Sequence, residues 1–95
     1  MKNPDRTTVT NLEDLPNIGP AMTRDLRLLG IQRTQQLIGK NAYQMHRQLC
    51  ELYNKKQDPC VIDVFLAVVH FMEGGNSAPW YHFTEERKKY LSRKS

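Results

Sequence analysis

The sequence is poor in cysteine and has no long apolar segment. Two cysteines in 95 residues are too few for the disulfide framework of a small secreted protein. No run of about 18 apolar residues is present to span a bilayer, and no secretory signal pattern is visible at the start. These absences predict a cytoplasmic protein with reduced thiols and without a membrane partner.

Closely spaced metal ligands are also lacking. The chain has neither a Cys-x-x-Cys pair nor a His-x-x-x-His pair, spacings that are typical of zinc sites. His46 and Cys50 stand four residues apart, and Cys60 and His70 follow in a later segment, so a metal site or a thiol nucleophile is a minor alternative. Cys60 lies in an apolar run and is better explained as a small buried residue. We therefore predict no metal, no cofactor and no enzymatic activity.

The composition is that of one globular domain. Hydrophobic residues make up 39% and charged residues 25% of the chain, and a chain of this length buries roughly 60–65% of its unfolded surface. We predict a flexible leader at residues 1–8 and a single domain at residues 9–95. The 14 Lys and Arg residues exceed the 10 Asp and Glu residues, and the net charge of +4 favours an acidic partner.

Helical periodicity and helix-stop residues divide the chain into short helices. A capping box at Thr10 and Glu13 predicts a first helix that stops at Pro16. The apolar run at residues 61–69 also fits a strand, but an Asp-Pro start and a Gly-Gly stop favour a helix. Further helices are expected after Pro20, Thr34, Asn41, Asp58 and Thr84. The predicted fold class is all-α.

The segment LPNIGP at residues 15–20 predicts a tight turn between the first two helices. Asn17 tolerates the left-handed backbone region, and Gly19 is expected to take angles that a side chain would penalise. Pro20 fits the first position of a helix. Exposed amides at such a turn, together with the positive end of the helix dipole, favour an anion such as a phosphate.

This turn and its flanking helices resemble the helix-hairpin-helix motif, in which hairpin amides and an early basic side chain hold the DNA backbone. Asn17 stands where the first hairpin glycine is usual, and Ala21 stands where a phosphate-binding lysine is usual. Arg24 or Thr23, one turn onward, is expected to replace that lysine. The resemblance implies DNA contacts from the backbone amides of Asn17, Ile18, Gly19 and Ala21 and from the side chains of Thr23, Arg24 and Arg27.

Two later segments widen the resemblance. DPCVID at residues 58–63, and PWY at residues 79–81 followed by TEERK at residues 84–88, are similar, with the hairpin, to the small bacterial family of pathogenicity-locus or mitomycin-resistance proteins. This resemblance covers residues 8–91. The hairpin and residues 30–37 are also similar to the C-terminal domain of TfoX competence regulators. Both resemblances imply a compact, SAM-domain-like bundle of five or six short helices with one helix-hairpin-helix unit, and neither implies a reaction.

The function predicted from these features is a DNA-binding accessory module without sequence preference. The hairpin amides and nearby arginines would hold phosphates. In one alternative, the hairpin only joins two packed helices. In the other, the same hairpin and the apolar residues Ile18, Met22 and Ile31 dock a partner protein or a second copy of the chain, with little affinity for DNA. The missing lysine at Ala21 favours this alternative.

Asp63 and the aromatic segment near residue 80 leave further alternatives. A carboxylate on a mostly buried helix needs a partner, and we expect Arg24, Arg27 or a backbone amide to supply it. Trp80 and its aromatic neighbours precede a basic segment. They either stack on the bases of a single strand or cover the buried helix, and the second interpretation is preferred.

Overall fold

The computed structural model describes residues 3–94, which form an all-helical structure without a strand in that range. This confirms the all-α prediction. The α-helices are α1 (Pro20–Leu28), α2 (Ala42–Tyr53), α3 (Cys60–Met72) and α4 (Thr84–Lys94). Three 3-10 helices accompany them: Leu12–Asp14, Thr34–Leu37 and Trp80–Phe83. The first and third of the predicted short helices are therefore single 3-10 turns, because Pro16 and Gly39 end them within a few residues.

Helix α3 provides most of the core. Phe65 and Val68 are fully buried, and α2, α4 and two of the 3-10 helices pack against α3. A helix surrounded in this way needs apolar residues on nearly every side, which explains the composition of residues 61–69 and confirms their helical interpretation. At 13 residues, α3 is short, and nowhere in residues 3–94 is a helix long and apolar enough to cross a membrane.

The helix starts agree only in part with the predicted capping residues. Asn41 caps α2 as predicted, because its Oδ1 accepts two amides of the first turn at 2.9 and 3.0 Å. The capping box predicted at Thr10 and Glu13 is wrong, since the first 3-10 helix has no side-chain cap. Thr34 is not a cap either. It is buried, and its hydroxyl donates to the Val9 carbonyl at 2.8 Å.

The N-terminal segment is anchored on the end of α3. Arg6 donates through Nε to the Phe71 carbonyl at 2.7 Å and through Nη2 to the Gly75 carbonyl, and its guanidinium lies 5.3 Å from the centre of the Phe71 ring. A cation at the carboxyl end of a helix satisfies carbonyls that lack a partner in the helix. Part of the segment predicted as a flexible leader is thus held on the core.

A buried ion pair joins α3 and α4. Arg87 donates from Nε to Asp63 Oδ1 at 2.9 Å and from Nη2 to Asp63 Oδ2 at 3.2 Å, and the Thr84 hydroxyl donates to Oδ2 at 2.8 Å. The hydrogen bond to Asp63 raises the pKa of Arg87. The expectation that Arg24 or Arg27 partners this carboxylate is wrong. Arg87 itself is 9% exposed and is not part of a basic surface.

Candidate nucleic-acid interface

Two buried side chains anchor the turn before α1 in the hydrophobic core. Leu15 is fully buried and Ile18 is 1% exposed, and the Ile18 amide donates to the Leu15 carbonyl at 3.2 Å. Asn17 has the predicted left-handed conformation, with a φ of 68°. The Ile18 amide is therefore used inside the turn. It is not one of the donors that the turn offers to a ligand.

Asn17 also connects the turn to a distant loop. Its Nδ2 donates to the Ala78 carbonyl at 2.7 Å, and its Oδ1 accepts the Trp80 amide at 3.2 Å. A glycine at this position would permit the same backbone angles but would make neither hydrogen bond. The departure from the glycine of the motif therefore has a structural role, which no local sequence pattern indicates.

Gly19 presents an open backbone at the start of α1. Its φ of −112° and ψ of −168° are extended angles that any residue adopts, so the expected need for glycine is wrong. A Cβ at this position would meet no atom within 4 Å. In residues 3–94 the amides of Asn17, Gly19 and Ala21 have no hydrogen-bond acceptor. Three of the four predicted backbone donors are thus unpaired within this range.

The three predicted side chains differ in exposure. Thr23 is 3% exposed and its hydroxyl donates to the Gly19 carbonyl at 2.9 Å, so this hydroxyl stabilises the helix start. Arg24 and Arg27 are exposed. They line a shallow depression of about 390 Å³ along the first turns of α1, together with Glu13, Pro20, Thr23 and Leu28. Two guanidinium groups therefore lie along α1 on a face that begins at Pro20, the residue between Gly19 and Ala21.

Two carboxylates lie close to these cations. Glu13 lines the same depression. Asp25 is 9% exposed, lies 3.9 Å from Arg24 Nε, and accepts the Tyr53 hydroxyl at 2.5 Å. That hydrogen bond raises the pKa of Tyr53. With two arginines and one glutamate along its rim, the depression is cationic, but only weakly.

The apolar residues proposed for protein docking are not on the surface. Ile18 and Ile31 are 1% and 2% exposed, and Met22 is half-buried against the core, so this predicted docking surface is wrong. Other apolar side chains are exposed nearby. Leu28 and Leu52 are 48% and 56% exposed and line a groove between α1 and α2.

The cysteine and histidine side chains do not assemble into one site. Cys50 Sγ lies 3.9 Å from the His46 ring and accepts the Gln57 amide at 3.3 Å. Cys60 Sγ lies 3.9 Å from Arg87 Nη2, with burial and then Asp58 raising the pKa of the Cys60 thiol. Nowhere in the described part of the chain do three His, Cys, Asp or Glu side chains converge as metal ligands.

The aromatic residues of the last 3-10 helix divide between core and surface. Phe83 is half-buried and meets the His70 ring edge-on at 5.5 Å, which agrees with a covering role. Trp80 and Tyr81 are 38% and 59% exposed, with ring centres 5.8 Å apart and planes at 81°. The preference for a covering role is thus correct for Phe83 only.

Comparison with known proteins adds a family. The family model described as "Pathogenicity locus" matches residues 5–89. A "Mitomycin resistance protein McrB" of Streptomyces lavendulae is 29% identical over 83 residues, which cover 87% of this chain and 79% of that protein. No solved structure matches the chain. The matched range contains the turn before α1, the ion pair of α3 and α4, and the aromatic 3-10 helix.

Proposed function

The chain belongs to the pathogenicity-locus family, and from the geometry of its turn and the resemblance of this segment to the helix-hairpin-helix motif we propose that it is a cytoplasmic, DNA-binding accessory module. The proposed contacts are the amides of Asn17, Gly19 and Ala21 and the side chains of Arg24 and Arg27. The module binds the phosphate backbone without reading bases, and it carries out no reaction of its own.

The open Gly19 backbone is the observation that carries this proposal. Unpaired amides at a helix start form an anion site because the N–H groups and the positive end of the helix dipole point in the same direction. At Gly19 nothing lies within 4 Å of the position of a Cβ, so a phosphate oxygen has room to approach. Arg24 and Arg27 line a depression that begins at Pro20, between Gly19 and Ala21, and supply charge-assisted hydrogen bonds.

The number of donors sets the strength of binding. One turn with two arginines holds only a few phosphates, and Glu13 at the rim opposes them. Contacts restricted to phosphates fix position but carry no sequence information. We therefore expect weak, salt-sensitive and sequence-independent binding, which is consistent with an accessory role.

A salt titration with a short DNA duplex tests the proposal. Each phosphate neutralised by a basic side chain contributes about 0.9 to the slope of log K against log salt. If only the two arginines neutralise phosphates, raising the salt from 50 to 200 mM should lower the affinity about tenfold. If three or four phosphates are neutralised, the same change should lower it about a hundredfold. Replacing both Arg24 and Arg27 by glutamine should lower this slope by about 2.

Arg47→Gln is the matched control. Arg47 is an exposed arginine on α2 that lines a different depression, so its loss should change affinity only through the net charge. Salt-independent binding, or an equal effect of Arg47→Gln and of a single change at Arg24, would remove the basis of the proposal.

The exposed groove of Leu28 and Leu52 supports a second candidate function. In this alternative the chain pairs with a protein or a second copy through the groove and has little affinity for DNA. Apolar side chains exposed to this extent next to each other are typical of interaction sites. Sedimentation of the pure protein distinguishes the candidates: a stable dimer that Leu52→Gln dissociates, with no DNA binding, would favour the alternative.

A further inference from the structure

The last 3-10 helix presents a row of three aromatic rings to solvent. Trp80, Tyr81 and His82 are exposed in succession. Neighbouring rings meet edge-on, at 5.8 Å between Trp80 and Tyr81 and at 5.2 Å between Tyr81 and His82. The helix itself packs on α3, which fixes the backbone beneath the rings. The DNA contacts proposed above do not use these rings.

The row of rings is attached directly to the hairpin. The Trp80 amide donates to Asn17 Oδ1, and Asn17 Nδ2 donates to the Ala78 carbonyl. Asn17 and Gly19 are two residues apart, a span of at most about 7 Å. The backbone of the 3-10 helix that carries the rings is therefore joined to the residue two positions before Gly19, and the two Asn17 hydrogen bonds hold this helix and the turn in a fixed relation.

From this arrangement we propose that the chain binds DNA with unpaired bases, which stack on Trp80 and Tyr81 while the hairpin holds the adjacent phosphates. The inference rests on the proposed function, because the hairpin supplies the phosphate contacts. The proposed ligand is a single strand of DNA, or the single-stranded part of a branched or gapped duplex.

Base stacking explains why unpaired DNA is the fitting partner. Aromatic side chains stack on any base, so they add affinity without sequence preference, as in single-strand binding proteins. The faces of bases inside a duplex are already stacked on their neighbours and do not reach a protein ring. A duplex would thus use the hairpin alone, whereas a single strand would use the hairpin and the rings.

The intrinsic fluorescence of the wild-type chain gives the first test. Trp80 is the single tryptophan of the sequence, so its emission reports on this row of rings only. A single strand of about 12 nucleotides, within the usual span of single-strand sites, should quench the emission on binding. A duplex of the same sequence should bind through the hairpin and leave the emission nearly unchanged.

Three variants distinguish a loss of base stacking from a loss of folded structure. Trp80→Leu should lower the ratio of single-strand to duplex affinity about tenfold, which corresponds to the loss of one stacked base. Trp80→Phe should restore most of the ratio because it keeps a ring. Asn17→Gly keeps the left-handed turn but releases Trp80, so it should also lower the ratio. Circular dichroism of each variant confirms that the helices are retained.

The outcomes distinguish this inference from the proposed function. If a duplex binds through Arg24 and Arg27 but single strands bind no more tightly and do not quench Trp80, the inference is overturned and the proposed function stands. If neither the duplex nor the single strand binds, the proposed function is wrong, and the inference that rests on it is wrong as well. Tighter binding of an RNA with the same sequence would overturn the assignment to DNA.

Discussion

Replacing Gly19 by aspartate should stabilise the protein while it lowers its affinity for DNA by about tenfold or more. Gly19 is the N-cap of α1, with φ −112° and ψ −168° and without a side-chain cap. Aspartate is a preferred N-cap and gains a few tenths of a kcal/mol over glycine, and a negative charge at a helix start adds about 0.3–1 kcal/mol. The total of about 1 kcal/mol should raise the melting temperature by about 4–8 °C.

The same substitution removes the donors that a phosphate needs. An aspartate at the N-cap accepts the amide of the second or third helical residue, which here means Ala21 or Met22. It also places a negative charge where the phosphate would lie. The loss of one hydrogen bond to a charged group costs about 1.5–3 kcal/mol, which is roughly a tenfold to hundredfold loss of affinity, and charge repulsion adds to it.

Asparagine and alanine at position 19 are matched controls. Asparagine caps the helix like aspartate but brings no charge, so it should stabilise the fold and reduce affinity by about tenfold. Alanine leaves the amides unpaired and has room for its Cβ, so it should have the smallest effect on affinity. Thermal unfolding by circular dichroism and anisotropy titrations with labelled DNA measure both properties on the same four proteins.

Two results would refute this reasoning. Wild-type affinity in a Gly19→Asp protein with raised stability would show that DNA does not use these amides. A clear loss of stability in the same variant would show that the N-cap geometry is not the one described.

Three further experiments test the rest of the structure. Arg87→Met leaves the Asp63 carboxylate buried without its cation and should cost about 3–5 kcal/mol in urea unfolding, most of which a second change, Asp63→Leu, should recover. Because burial, followed by the neighbouring aspartate, raises the pKa of the Cys60 thiol, the pH midpoint of its alkylation in a Cys50→Ser protein should be higher in the native protein than in urea. The neutral thiol stabilises the fold below the ordinary pKa of a thiol, and this contribution is lost as the pH rises through the folded pKa. Asn41→Ala removes the acceptor of two amides and should cost about 1 kcal/mol, measured by urea unfolding.

Each of these expectations has a contrary result. An Arg87→Met protein as stable as wild type would mean that the ion pair is solvated. An alkylation midpoint that is equal in native and unfolded protein would show that the thiol is not perturbed. An Asn41→Ala protein with unchanged stability would show that α2 does not depend on its cap.

Features that depend on neighbouring residues could be predicted from the sequence. Pro20 and Asn41 begin helices because a fixed φ and a capping oxygen act within one turn, and Asn17 adopts the left-handed region because its side chain tolerates it. The apolar run at residues 61–69 is a helix, as its start and stop signals predict.

Features that depend on distant contacts could not be predicted. Arg87 pairs with Asp63 across 24 residues, and Asn17 contacts Ala78 across 61. Packing selects both partners, and no spacing rule identifies them. The burial of Thr23 could not be predicted from the sequence for the same reason. The periodicity of α1 does not show whether a residue at the edge of its apolar face is covered by a neighbouring element.

The hydrogen bonds of Asn17 also limit how the turn before α1 could be transplanted. A segment such as residues 9–30, grafted into another scaffold, would lose the Ala78 acceptor and the Trp80 donor and retain an unsatisfied amide side chain in a turn. A graft would have to change position 17 to glycine or to carry the second loop with it. Affinity measured on an excised peptide would therefore describe a different binding element from the one in the intact protein.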